Sequence, residues 1–261
     1  KNCNIQIRNN QFTLFLSTPI VVQNIDNCFI GNNMNYQVDK ALKGVDFLEQ
    51  NFTKGTKEGR PRFVSSCGTI LIAGCLFKDL HSWVGGEKVG GGALYIEQDS
   101  SVTLHECNFV NCHADGNGGA VIVCAQYKGD TKDVQIGLNH FLDTLICCFT
   151  NCSLYRNGFG VAMYIAAQKT NLSFVSTVNC KNTEAQALGA IFDIQANSTI
   201  ASSNVNITKG QAKYCSGMEY RYSHRGYFKY QSLSNLTGKF ATAFTNLQLD
   251  VQVIFCNYQD N

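Results

Sequence analysis

The sequence is nearly without proline. Pro19 and Pro61 are the two prolines in 261 residues, and no stretch rich in proline, glycine and serine divides the chain. Linkers between domains usually have such a composition. Solenoids and barrels built of strands often reach this length as one unit. The sequence therefore predicts a single domain over residues 1–261.

Charged side chains are also scarce, at 15% of the sequence with a formal net charge of +2. An average globular domain has about 25% charged residues. Proteins that bind nucleic acid usually carry a clear excess of basic residues. We therefore predict no nucleic-acid partner.

The sequence has no long apolar run and no sustained helical periodicity. Its longest apolar stretch, residues 12–22, is interrupted by polar residues, and a membrane-spanning helix needs about 20 residues. Phe, Tyr, Val, Ile and Thr, which favour strands, are plentiful. These features predict an all-β chain without a transmembrane segment. Because the chain starts at Lys1 without a basic and then apolar leader, we expect a mature chain or an excised domain whose anchor lies elsewhere.

What the sequence does have is a set of repeated phrases. Gly-Gly-Ala followed by an apolar residue begins at Gly91 and again at Gly118. An apolar strand that ends in Cys-x-Phe and a following Asn-Cys pair also recur. The Cys-x-Phe phrases are at Cys75 and Phe77, Cys107 and Phe109, and Cys147 and Phe149; the Asn-Cys pairs are at Asn111 and Cys112, Asn151 and Cys152, and Asn179 and Cys180.

The interval between these phrases predicts the architecture. Leading glycines recur about every 28 residues, apart from one longer step that contains a polar loop at residues 126–137. This period is shorter than a propeller blade and lacks the helices of ankyrin or tetratricopeptide repeats. It is typical of a parallel β-helix, in which successive turns lie about 4.8 Å apart. Equivalent residues then form ladders. We predict a cysteine ladder (Cys75, Cys107, Cys147), a phenylalanine ladder (Phe77, Phe109, Phe149) and an asparagine ladder (Asn111, Asn151, Asn179).

The regularity of the repeat divides the predicted domain into four parts. Residues 1–33 form an irregular first turn or cap, and residues 34–61 are polar and predict an excursion from the sheet surface. Residues 65–222 contain the regular turns. Residues 223–261 are less regular and end inside a repeated phrase, so we expect the native protein to continue.

Cysteine and asparagine usage indicates an extracellular protein. Thirteen cysteines occur together with six Asn-x-Ser/Thr sequons, a combination that a reducing cytosol does not favour. We predict N-linked glycans, and we rank Asn151 last because a ladder residue that points inward cannot carry one. The candidate sites are Asn51, Asn171, Asn197, Asn206, Asn235 and, last, Asn151.

Stacked cysteines can be cross-linked between turns. The spacing of about 4.8 Å between turns falls within the Cα–Cα distances of disulfides. Bonds such as Cys107–Cys147 or Cys112–Cys152 would each stabilise the fold by about 3–4 kcal/mol in the chain-entropy model. The candidates are Cys75, Cys107, Cys147, Cys112, Cys152 and Cys180. An odd total leaves at least one cysteine unpaired or bonded to another chain.

The Gly-Gly-Ala-apolar and Phe-and-Asn phrases together resemble the polymorphic membrane protein repeats and the wider family of right-handed β-helices that share the pectate lyase fold. Phe29 and Asn32 match the Phe-x-x-Asn hallmark of those repeats. After Phe109 and Phe149 a cysteine stands at the expected asparagine, which favours a cysteine-rich eukaryotic relative such as a protist surface protein. The resemblance implies an adhesin-like rod that is secreted or displayed on a cell surface.

A carbohydrate-active enzyme on the same fold is the main alternative. Its chemistry needs clustered carboxylates, or calcium with a basic residue. The candidate acids Asp130 and Asp133 lie in the polar loop, where solvation is the expected state. His113 lies between Cys112 and Asp115, but no second group supports a metal or nucleophile site there. We therefore predict no catalytic, cofactor or metal site.

The sequence thus favours a non-enzymatic surface module with an adhesive or structural role. Its expected partners are protein or glycan ligands at a cell surface. End-to-end self-association into a filament or coat is a further alternative, because strand edges at the ends of a solenoid can pair with other copies.

Overall fold

The chain is a parallel β-solenoid with about 30 residues in each turn. The computed structural model describes residues 4–8, 27–31, 45–48, 51–53, 62–65, 68–82, 90–97, 100–124, 141–155, 158–182, 190–212, 215–221, 225–238, 244–246, 251–254 and 256–259, and all of the regular elements within these ranges are strands. The predicted all-β fold and parallel stacking are confirmed, while the handedness of the coil stays a prediction.

A thirteen-stranded sheet forms the largest wall and has two rows of strands. Strands β17 and β20 are long enough to contribute to both rows. Row A contains β5 (Arg62–Ser65), β9 (Leu94–Glu97), β13 (Val121–Cys124), the first halves of β17 (Met163–Ser173) and β20 (Phe192–Ser203), β22 (Met218–Arg221) and β25 (Phe244–Asn246). Row B contains β3 (Val45–Leu48), β6 (Gly68–Ala73), β10 (Ser100–His105), β14 (Phe141–Leu145), the second halves of β17 and β20, β23 (Arg225–Lys229) and β26 (Val251–Ile254).

Two smaller sheets close the coil, and a separate pair of strands precedes it. The eight-stranded sheet contains β4 (Asn51–Thr53), β7 (Leu76–Lys78), β11 (Asn108–Val110), β15 (Cys148–Thr150), β18 (Ser176–Val178), β21 (Asn206–Thr208), β24 (Ser232–Ser234) and β27 (Asn257–Gln259). The four-stranded sheet contains β8 (His81–Ser82), β12 (His113–Ala114), β16 (Ser153–Leu154) and β19 (Lys181–Asn182). The preceding pair is β1 (Asn4–Arg8) with β2 (Asn27–Gly31).

The predicted phenylalanine ladder fills the interior. Phe77, Phe109 and Phe149 are in register in the eight-stranded sheet and fully buried. The rings of Phe77 and Phe109 lie 4.8 Å apart, those of Phe109 and Phe149 lie 4.7 Å apart, and both pairs are nearly parallel. The Cys-x-Phe phrase follows from strand geometry, since residues two apart point to the same side of a strand.

Two corners of the coil are built from residues in the left-handed conformation. The predicted asparagine ladder forms part of the second corner, between the eight-stranded and four-stranded sheets, and Asn179 Nδ2 donates to Asn151 Oδ1 at 2.7 Å. Asparagine tolerates positive φ better than most residues do. The first corner, before the eight-stranded sheet, comprises Gly74, Glu106, Ile146, Phe174, Asn204 and Tyr230; the second comprises Asp79, Asn111, Asn151, Asn179, Lys209 and Asn235.

The Gly-Gly-Ala phrase forms the tight turn before row A. Gly91 and Gly118 have φ of 57° and 67°, and Gly160 occupies the same position with φ of 70°. The register aligns Gly119 with Val161 rather than with Gly160, since Val121 pairs with Met163. The glycine count therefore joined two adjacent positions of the turn, which shifts single steps by about one residue. The mean of about 30 residues per turn includes the long step between Val121 and Met163, which the period near 28 left out.

Two of the predicted parts of the domain contain further strands of the stack. Strands β3 and β4 lie within residues 34–61 and pair with β6 and β7, so this segment is not wholly an excursion from the sheets. Asn51, Phe52 and Thr53 are a further copy of the Asn-Phe-Val phrase at residues 108–110. Residues 223–261, which were predicted to form less regular turns, contain β23 to β27, and these strands continue the stack. The polar loop at residues 126–137 lies outside the described residues.

Candidate functional site

The six candidate cysteines form two stacked ladders in the core. The first ladder lies just before the eight-stranded sheet and consists of Cys75, Cys107 and Cys147. Backbone hydrogen bonds join its neighbouring turns, since Asn108 N donates to Cys75 O and Cys148 N donates to Cys107 O, each at 2.9 Å. Cys112, Cys152 and Cys180 precede the four-stranded sheet in the same way. All six are at most 1% exposed. The first ladder was predicted from the Cys-x-Phe phrases, and the second from the cysteines of the Asn-Cys pairs.

The structure contains no disulfide among these six cysteines, and the bonds between turns stay a prediction. Their thiols donate to backbone carbonyls instead, for example from Cys107 Sγ to His105 O at 3.3 Å. Burial raises the pKa of Cys107, Cys152 and Cys180 well above the ordinary thiol value. Because the thiolate is the reactive form, these side chains are poor nucleophiles and metal ligands as they stand.

Four of the six sequon asparagines can be placed with their side chains. Asn206 and Asn235 are exposed and Asn171 is half-buried, with Asn171 Nδ2 donating to Asp143 Oδ1 at 2.9 Å. Asn151 is also exposed, at the second corner, so the reason for ranking it last does not hold. A corner residue in the left-handed conformation points outward although it belongs to a ladder. The side chains of Asn51 and Asn197 lie outside the described residues.

A cluster of polar and aromatic side chains lies on the four-stranded sheet. His81 Nε2 is 3.2 Å from Asp115 Oδ1, and His113 Nδ1 is 2.6 Å from Ser153 Oγ. The ring of Tyr155 packs against both imidazoles, at centroid distances of 5.0 and 5.2 Å. The register aligns His81 with His113 and His113 with Ser153. The sequence drew attention to His113 and Asp115 but not to the other three.

The arrangement of this cluster fits a structural role. Ser153 is 3% exposed, so its hydroxyl is not accessible to a polymer, and the bond to His113 satisfies a buried polar group. Burial lowers the pKa of His113 from its ordinary value, the nearby His81 lowers it further, and Asp79 acts in the opposite direction. The lowered pKa favours the neutral imidazole of His113 at pH 7, and this imidazole shares the 2.6 Å hydrogen bond with Ser153 Oγ.

Acidification should destabilise the protein through His113. Its pKa is lowered in the folded state, so its contribution to stability is present above the unfolded value of about 6.5 and is lost as the pH falls through the folded pKa. We expect urea denaturation to show a lower free energy of unfolding at pH 5 than at pH 7.5. His113→Gln should reduce this difference. An equal pH dependence in both proteins would contradict the assignment.

A buried pair of acidic residues lies on row A. Asp193 and Glu219 are in register on neighbouring turns, on the side of the strands opposite the main core that holds the phenylalanine ladder, and are 0% and 1% exposed. The sequence missed them because they are 26 positions apart. Asp130 and Asp133 lie outside the described residues. In the described part of the chain, no group of three His, Cys, Asp or Glu side chains could hold a metal ion.

A third group of residues forms an exposed apolar surface at the first corner. Ile146, Phe174 and Tyr230 are 45%, 58% and 55% exposed, and they occupy equivalent positions in three of four successive turns. Tyr227 of row B is 36% exposed beside them. We call Ile146, Phe174, Tyr227 and Tyr230 the apolar ridge. Hydrophobicity alone could not have revealed it, because the interior of the coil uses the same residue types.

Comparisons with known protein families, with curated proteins and with solved structures find no match to this chain. Within the described ranges no helix is long and apolar enough to span a membrane.

Proposed function

We propose that this chain is a non-enzymatic module, secreted or held at a cell surface, that acts by adhesion to protein or glycan ligands. The apolar ridge carries the proposal. Soluble proteins rarely place several large apolar side chains together in water unless a partner covers them, and aromatic residues are enriched among the residues that dominate binding energy. The ridge continues over several turns of a stiff coil, as suits binding to an extended surface.

The compartment belongs to the same proposal. Its support is the combination of thirteen cysteines with sequons at which Asn151, Asn206 and Asn235 are exposed. N-linked glycans at these positions would point away from the coil. Bonds within the two cysteine ladders would stabilise it outside the cell, and the resemblance to adhesin-like surface proteins with a right-handed coil agrees with this location.

Changing the ridge should abolish adhesion without unfolding the protein. We expect Phe174→Ser with Tyr230→Ser to weaken binding to cells or extracellular matrix by about tenfold or more, since buried aromatic anchors commonly contribute 2 kcal/mol or more. Tyr155→Ser, at a 38% exposed tyrosine beside the four-stranded sheet, is the matched control. Binding is measured by flow cytometry and on matrix-coated surfaces. Equal binding by all variants would contradict the role of the ridge.

A carbohydrate-active enzyme remains the second candidate, and the buried pair of Asp193 and Glu219 is the observation that favours it. Paired carboxylates are what glycoside hydrolysis needs. Both side chains are buried, however, so a substrate could reach them only after the structure opens. The protein purified for the adhesion assay should also be incubated with uronate polymers. Cleavage of these polymers that is lost in Asp193→Asn would favour the enzyme.

Assembly into a filament or coat is the third candidate. In the described part of the chain, β26 pairs only with β23 and β27 pairs only with β24, so each has one edge without a strand neighbour. Strand edges of this kind can accept another strand.

A further inference from the structure

The outer surface of row B has a shallow trough that runs along one turn. Its floor is the second half of β20, where the outward residues are the small Thr199, Ala201 and Ser203. Its walls are the neighbouring turns, where larger residues occupy all of the equivalent positions except Ser173, which matches Ser203 of the floor. Each floor residue pairs with one residue of either wall, which gives three rows across the trough: Lys169–Thr199–Arg225, Asn171–Ala201–Tyr227 and Ser173–Ser203–Lys229.

The same pattern continues at the first corner. Phe174, Asn204 and Tyr230 follow one another in successive turns with nearly equal φ values of 54°, 53° and 53°. A shorter polar residue again lies between two large exposed side chains. Since strands are about 4.8 Å apart, the two walls are separated by about 10 Å between backbones. This width can accommodate a single polymer strand.

The surface around the trough is basic. Over residues 158–238, the exposed charged side chains in the described part of the chain are all cationic, while the acidic Asp193 and Glu219 are buried on row A. Among the described residues, the exposed acid Asp143 lies in the turn next to the wall, where it pairs with Asn171 and accepts a hydrogen bond from it. The net charge of the whole chain, +2, does not reveal this excess of exposed cations over exposed acids. The exposed cations are Lys169, Lys181, Lys209, Arg225 and Lys229.

The chemistry of the trough selects a class of ligand. On the face of a sheet the backbone groups are used in the strand ladder, so a ligand meets side chains alone. The walls contain the exposed cations Lys169, Arg225 and Lys229 and the tyrosines Tyr227 and Tyr230, which are 36% and 55% exposed. The floor contains the hydroxyls of Thr199 and Ser203, which share hydrogen bonds with the hydroxyls of Ser198 and Ser173 and can accept further ones. A polymer with anionic groups, hydroxyls and ring faces matches all three features.

We propose that this trough binds a strand of sulfated polysaccharide, with Lys169, Arg225 and Lys229 contacting its sulfate groups. Clusters of basic residues are the usual recognition elements for such polymers and for nucleic acids. Nucleic-acid binding is disfavoured because the sequence pI is about 8.0, below the value above about 9 that is typical of domains that bind it. The inference rests on the proposed adhesive function and names its ligand.

The decisive experiment compares two charge-matched variants for binding to immobilised heparin. Lys169→Ala with Arg225→Ala removes two cations from the trough, and Lys181→Ala with Lys209→Ala removes two exposed cations from the other side of the eight-stranded sheet. We expect the trough variant to bind about tenfold or more weakly and the control to change by less than about twofold. Equal loss in both variants would overturn the proposal, because it would show a diffuse charge effect.

A second variant tests the shape of the trough without changing its charge. Ala201→Tyr fills the floor between Asn171 and Tyr227 and should weaken heparin binding to a similar extent as the loss of cations. Unchanged binding by Ala201→Tyr would overturn the assignment to the trough. All variants carry Asn171→Gln, because a glycan at this sequon would stand at the wall. Circular dichroism and denaturation confirm that each variant is folded.

Three further measurements distinguish the ligand classes and test the sulfated polysaccharide separately from the adhesive function. Desulfated heparin should bind much more weakly, and a single-stranded oligonucleotide of equal charge should not compete at equal concentration. Competition by the oligonucleotide would overturn the assignment to a sulfated polysaccharide. Cell adhesion that survives enzymatic removal of sulfated glycans would overturn this inference but not the adhesive function. Heparin binding without any adhesion to cells or matrix would contradict the adhesive function itself.

Discussion

Phe109→Ala is expected to lower the free energy of unfolding by about 3–5 kcal/mol, the cost typical of removing a buried phenylalanine. Phe109 is fully buried and lies between Phe77 and Phe149, with ring distances of 4.8 and 4.7 Å. Its removal leaves a cavity and deprives both neighbouring rings of a stacking partner. The rigid backbone of three adjacent turns limits how far the cavity can close.

The control for this prediction is Phe174→Ala, at a phenylalanine that is 58% exposed at the first corner. It should cost less than about 1 kcal/mol, since surface substitutions away from special features are usually mild. Both values come from urea denaturation followed by circular dichroism. A loss at Phe109 as small as that at Phe174 would show that the phenylalanine ladder does not support the coil.

Gly119→Ala is expected to destabilise the protein by about 3 kcal/mol, at the upper end of what overpacking usually costs. A methyl group on Gly119 would collide with the carbonyl oxygen of Val161 in the next turn and would lie 2.7 Å from Ser153 O. Both contacts are with backbone, so the turns themselves must move apart. The hydrogen bond from Gly119 N to Gly160 O, at 3.0 Å, would be strained by the same movement.

Ser203→Ala, at a half-buried outer position of row B, is the control and should change stability by less than about 0.5 kcal/mol. Thermal and urea denaturation of the two variants provide the comparison. If Gly119→Ala were as stable as the unchanged protein, the second glycine of the Gly-Gly-Ala phrase would have no steric role, and the close approach of the turns would be wrong.

The repeated phrases contained most of the information about the fold. Cys107 and Phe109 identified their equivalents in neighbouring turns, because a residue that recurs once per turn must occupy the same position of the coil. Asn51, Phe52 and Thr53 could have been recognised in the same way, but the polar residues around them hid the phrase. The glycine count was less reliable, since either of two adjacent glycines can mark the turn before row A.

The surface was much harder to predict than the interior. Interior positions must fit between the turns above and below, so the same residue types return, whereas outward positions have no such constraint. Lys169 and Arg225 are 56 positions apart, and no shared phrase connects them. Only the pairing of both with Thr199 brings them to one trough.

The sequence by itself therefore determined that the chain is an all-β coil, which residues stack in its core and where its glycine and asparagine turns lie, because each of these features repeats along the chain. The tertiary structure decided which side chains lie next to one another outside the main core. It placed His81 beside Asp115, buried Asp193 with Glu219, and brought the cations of neighbouring turns around a floor of small residues. These contacts depend on the register of turns that differ in length, and the length of each turn is settled only when its strands pair.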